Sequence, residues 1–184
     1  MKVTQLAKQT RIHRKLHRWI SVSMVLFMLV MAITGVLLAW KKQLNLLPKT
    51  RKSTSELVDQ WIPVEEMARL GQKFVQDSLG KSSEIDRIDI RPDKGIAKIV
   101  FKYHFTEIQL DGFSGDVLSV AQRNSDLIEK IHDGSILDFL TDPDGEGFKI
   151  FYSTLTGLAL LFLSFTGIFL WYNPRRIKRW KHKV

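Results

Sequence analysis

Residues 19–40 read WISVSMVLFMLVMAITGVLLAW, 22 consecutive residues without a charge. At 1.5 Å per residue a helix of this length reaches about 33 Å, enough for the roughly 30 Å hydrocarbon core of a bilayer. A second uncharged run of 25 residues extends from Ile150 to Pro174, centred on FYSTLTGLALLFLSFTGIFLWY. Trp19, Trp40, Tyr152, Trp171 and Tyr172 stand at the ends of the two runs, where amphipathic rings prefer the membrane interface. A soluble domain of 184 residues could not bury two such helices. The pattern predicts transmembrane helices over 19–40 and 150–172. The first reads as an anchor and not a cleaved signal peptide, because its apolar run is too long and lacks an A-x-A site.

Charge sets the expected orientation. The chain carries 28 Lys+Arg against 19 Asp+Glu, a net charge of +9. Residues 1–18 hold six cations and no acid, and so do residues 175–184, whereas 41–149 hold every acid and a net −3. Two short basic tails around a near-neutral middle follow the positive-inside rule. They predict a basic cytoplasmic segment at 1–18, an extracytoplasmic (periplasmic) region at 41–149 and a basic cytoplasmic tail at 173–184, in a bacterial inner membrane. The same split accounts for a mean hydropathy of −0.07 that would otherwise suggest a soluble protein. The basic excess reports topology and lipid headgroups, so no nucleic-acid partner is expected. With no cysteine, disulfides, thiolate metal sites, iron–sulfur clusters and covalently attached haem are all excluded.

The outer region reads as a small α+β module over about 60–122. Pro63 opens PVEEMARLGQKFVQDSLG, with Val64, Met67, Leu70 and Phe74 three to four apart and Gly80 as a stop. IDRIDI, IAKIVFKYHF, TEIQLD and VLSVAQ alternate as strands, separated by the turn signals RPDKG and DGFSGD. Tyr103–His104 fits either mid-strand or a hairpin turn. Beyond it, NSDLIEKIHDG and SILDFL are short amphipathic pieces. The DPDGEG stretch lacks the glycine spacing and terminal Glu of a calcium loop and reads as a helix-capping turn.

Both apolar runs contain a similar element, ITGVLLAW at 33–40 and FTGIFLWY at 165–172. Thr34–Gly35 lies near the outer end of the first run and Thr166–Gly167 near the inner end of the second. Small residues of this kind suit close helix packing. Of the five histidines, His13 and His17 are i, i+4 on one helix face before the first run, and His132 lies before the second. Imidazole is the usual axial ligand of a b-type haem between membrane helices, and the alternative is a basic tail meeting lipid headgroups. Neither run contains a charge, which argues against an ion path through this chain alone.

Together these residues resemble the PepSY-associated transmembrane-helix family. The resemblance is carried by RKLHRWISVSMVLFMLVMAITGVLLAW at 14–40, LDGFSGDVLSV at 110–120, EKIHDGSIL at 129–137 and TGIFLWYNPRR at 166–176. It implies a membrane protein whose two transmembrane α-helices flank a small α+β PepSY-like extracytoplasmic domain. Larger members resemble inner-membrane reductases that release iron from siderophores with histidine-held haem. The family's recurring histidines match His17 and His132, with His13 an added neighbour, so haem b is the cofactor implied. This chain has only two spans, and one chain cannot offer both histidines to one haem, so a homodimer or larger membrane complex is implied. PepSY modules also restrain extracytoplasmic peptidases, which implies, as the alternative, a non-catalytic subunit that binds a partner protein.

Overall fold

The computed structural model describes residues 2–55 and 60–181; His182, assigned above to the basic tail, lies outside them. The chain forms two units, Leu37–Glu129 and a second made of Met1–Val36 with Lys130–Val184.

In the first unit, helix α2 (Val64–Phe74) follows Pro63, whose fixed φ suits a helix entry, and carries Glu65 and Glu66 in its first turn. It runs into one π-helical turn, Val75–Leu79, and stops at Gly80 in the left-handed region. Four strands follow: β1 (Ile85–Arg91), β2 (Ile96–Phe101), β3 (Thr106–Asp111) and β4 (Val117–Gln122). They form an antiparallel meander in the order β1-β2-β3-β4, with Ile99 opposite Ile108 and Ala97 opposite Leu110. Tyr103 and His104 fall in the β2–β3 turn, which settles that ambiguity. Met67 and Val75 from the helical segment pack on Ala97, Ile99, Phe101, Ile108 and Leu110, all fully buried.

The opposite sheet face is also buried, although its alternating residues are polar. Lys98, Glu107, Gln109 and Asp111 are each no more than 6% exposed. The segment 46–55, which the periodicity left outside the module, covers them. Gln109 accepts the Arg51 N–H at 2.8 Å and donates to the Lys49 carbonyl at 3.1 Å. Glu107 pairs with Lys98 at 3.3 Å and with Arg123, which also holds Asp126 at 2.9 Å. Burial pushes the Asp126 carboxyl up, but Arg123 and Arg87 outweigh it and bring it below its ordinary value. Asp111 accepts from the Ser53 hydroxyl at 2.7 Å and from the N–H groups of Thr54, Phe113 and Ser114. Its burial opposes ionisation, yet these donors prevail and hold it at about 2. The LDGFSGD motif is thus a structural clamp joining the β3–β4 turn to segment 46–55.

The second unit contains the two long helices, α1 (Lys2–Ala39) and α5 (Gly147–Lys181), both longer than the apolar runs they contain. Their most apolar stretches are only 6% and 17% buried, unlike the core helix of a soluble domain. Large side chains such as Leu26 and Phe165 point outward at 67% and 71% exposure. The residues buried along the two helices are small or polar instead: Thr10, Thr34, Thr156, Ala159, Thr166 and Asn173. That inversion is expected where the surroundings are apolar and contact between helices comes from small residues and hydrogen bonds. Helix α3 (Asn124–Asp133) and helix α4 (Ser135–Thr141) lead into α5. Asp138 caps α5, accepting the N–H groups of Phe148 and Lys149 at 2.9 and 2.8 Å. The expected cap therefore comes from α4, and not from the DPDGEG acids.

Candidate functional site

Each Thr-Gly pair of the repeat receives one histidine. His17 on α1 lies with Nδ1 2.6 Å from Thr166 Oγ1 on α5. His132, at the end of α3, lies with Nδ1 2.9 Å from Thr34 Oγ1 on α1. The adjoining glycines face the same rings: a Cβ on Gly35 would sit 3.4 Å from His132 Cε1, and one on Gly167 would sit 3.9 Å from His17 Cε1. The sequence suggests that these glycines serve close helix packing; each also borders an imidazole. The two contacts repeat one design at opposite ends of the pair.

The threonines bear on the tautomer of each ring. A threonine hydroxyl has one hydrogen and two lone pairs. Thr166 gives its hydrogen to the Phe162 carbonyl at 2.8 Å, and Thr34 gives its own to the Val30 carbonyl at 2.6 Å. With the hydroxyl hydrogens placed on those carbonyls, each oxygen accepts from an Nδ1–H, and a neutral ring in that tautomer keeps its lone pair on Nε2. Neither Nε2 has a hydrogen-bond partner among the described residues, and neither is sealed from its surroundings. A ring fixed by its Nδ1–H and open at Nε2 is the usual arrangement of a metal-ligating histidine.

His13 lies one turn from His17, its ring 4.5 Å from that of Phe169 and its Nδ1 buried without a hydrogen-bond partner among the described residues. Further along, Asn173 donates to Thr10 at 3.3 Å. His13 and His17 therefore face α5 together, while His132 stands apart at the other end of α1. Along the helix, His17 and Thr34 are separated by about 25 Å. His104 belongs to the first unit, where it bonds Thr106 and the Ser82 carbonyl and stacks on Phe101. Its contacts are those of a turn-forming residue.

Thr34 and Thr166 were missed as histidine partners. The signal was present in the matching depths, since each Thr-Gly pair lies at the same end as the histidine of the other segment. Tyr152, read from the sequence as an interface aromatic, has a buried hydroxyl without a hydrogen-bond partner among the described residues and lies edge-on to Phe27 at 5.8 Å.

The family model for the PepSY-associated TM region matches residues 14–184, and the chain belongs to that family. It is accordingly a membrane-associated PepSY protein, with two long apolar helices flanking a four-stranded antiparallel sheet domain. No curated protein sequence matches it.

Proposed function

We propose that this chain is a haem-binding redox protein of a bacterial inner membrane, passing electrons outward to a ferric chelate in siderophore-iron uptake. His17 and His132 would hold the haem, with His13 a further donor beside His17. The observation that supports this reading is the pair of threonine-held imidazoles, each retaining an accessible Nε2 lone pair. Bound haem would supply one-electron transfer.

The chain's own residues do the rest. Thr166 and Thr34 fix the ring rotation and tautomer, and Gly167 and Gly35 leave room beside the rings. The apolar outer faces of α1 and α5 exclude water. Because His132 lies beside Thr34, about 25 Å along α1 from His17, the two would not hold one haem; beyond His13 at the inner end, a further histidine would come from another copy of the chain or a partner. A homodimer forming a four-helix bundle meets that need. The basic tails favour both termini in the cytoplasm, with the PepSY domain outside. A colourless, haem-free protein purified from haem-supplied cells would overturn the redox reading.

A second reading is a non-catalytic subunit whose PepSY domain binds or regulates a partner protein or peptidase. It draws support from β4, an edge strand whose Val117 and Val120 remain exposed. Co-purification of a partner that is lost on Val120→Lys would favour it; unchanged co-purification would remove the edge strand from the account.

A further inference from the structure

The face of the sheet opposite α2 carries a cleft of about 510 Å³, within the first unit. Its walls bring together Lys42, Lys49, Arg91, Lys94, Lys98 and Arg123 against two acids, Asp89 and Asp93. The side chains of Lys98 and Arg123 are 8% and 13% exposed and share Glu107. Among the described residues the Lys98 ammonium has one carboxylate partner, Glu107 at 3.3 Å, for its three N–H donors. Among the described residues the other four cations have no ion-pair partner. The cleft therefore holds more positive charge than its own acids neutralise. A partly enclosed cleft with such an excess of cations concentrates anions.

Two further features narrow the ligand. The cations include both a planar guanidinium fork and several ammonium point charges, a set suited to the multiple oxygens of a phosphate. Lys42 follows Trp40 by two residues, so the chain keeps it within about 7 Å of the end of the apolar run. Cations at that level are attracted to anionic headgroups.

We propose that this cleft binds a phosphate group, supplied either by the headgroup of an anionic phospholipid or by a soluble phosphate ester. The proposal is independent of haem, since none of the cleft residues takes part in the histidine sites.

The test is native mass spectrometry of the full chain, delipidated in neutral detergent and offered phosphatidylglycerol or phosphatidylcholine. Wild type is expected to retain phosphatidylglycerol at least fivefold better than phosphatidylcholine. The triple variant Lys42→Gln, Lys49→Gln, Arg91→Gln, all at exposed positions, is expected to lose that preference with an unchanged melting temperature. Arg91→Gln alone provides a milder variant, expected to lower retention about threefold. A calorimetric titration with glycerol 1-phosphate separates the sources. Binding of comparable strength without acyl chains assigns a soluble ester, and binding that requires them assigns the lipid. Equal retention of the two lipids by wild type, with no heat from glycerol 1-phosphate, would overturn the proposal. So would retention of either probe by the folded triple variant at the wild-type level.

Discussion

His17 and Thr166 are 149 residues apart in the chain and 2.6 Å apart through Nδ1 and Oγ1. The same hydroxyl lies 2.8 Å from the Phe162 carbonyl, and a hydrogen given there leaves its oxygen to accept from the imidazole Nδ1–H. His132 and Thr34 repeat the relationship at 2.9 Å. A sequence repeat that would serve helix packing in most membrane proteins here serves to orient two histidines.

Replacing Thr166 by Val keeps the shape of the side chain and removes the acceptor. The helix pair should survive, since hydrogen bonds within membranes average only about 0.6 kcal/mol. The affinity of His17 for a metal-centred ligand should fall about 10- to 100-fold, as for loss of other groups that orient a ligating histidine. Titrating haem into haem-depleted wild type and Thr166→Val checks this. Equal affinity would mean that the threonine does not orient the ring.

Gly35 and Gly157 offer a matched comparison on the two long helices. A Cβ at Gly35 meets His132 at 3.4 Å, whereas at Gly157 it meets nothing within 4 Å. Gly35→Leu should displace the imidazole and cost about 1–3 kcal/mol, while Gly157→Leu should stay within about 0.5 kcal/mol of wild type. Thermal unfolding in one detergent measures both.

The outer domain should weaken in acid through Asp111. Its folded pKa, about 2, lies below the unfolded value of about 3.9. A group depressed in this way contributes fully above the unfolded value and loses its contribution as pH falls through the folded one. Wild type should therefore lose about 1–2 kcal/mol between roughly pH 5 and pH 2. Asp111→Ala, which also leaves the Thr54, Phe113 and Ser114 N–H groups unpaired, should cost about 2 kcal/mol or more at pH 7 and flatten that pH dependence. Unfolding of both proteins across this pH range is the measurement.

The cysteine-free chain suits a topology test by single-cysteine labelling. Lys81→Cys in the sheet domain should react with a membrane-impermeant maleimide in intact spheroplasts. Gln9→Cys on α1 should react only after lysis. The reverse pattern would contradict the positive-inside assignment.

The long helices and the meander were legible because they depend on local patterns: uncharged length for α1 and α5, period-two alternation and turn residues for β1 to β4. The polar face of the sheet was not. Lys98, Glu107 and Gln109 alternate as solvent-facing residues do, and only the crossing of segment 46–55, more than 40 residues away in sequence, makes them interior. The histidines were legible as residues and not as a site. His17 and His132 stood out beside the apolar runs, but their partners lie 149 and 98 positions away. Thr34 and Thr166 also had a sufficient local explanation in helix packing, which concealed the second role.

The central claim is most directly tested by the absorption spectrum of the full chain purified in detergent from haem-supplied cells, before and after dithionite. Wild type should show a Soret band that sharpens and shifts on reduction. His17→Ala and His132→Ala should each lose about half of that absorbance, and the double variant should be colourless. An undiminished Soret band in the folded double variant would contradict the assignment of these two residues, and its absence from wild type would contradict the account of haem.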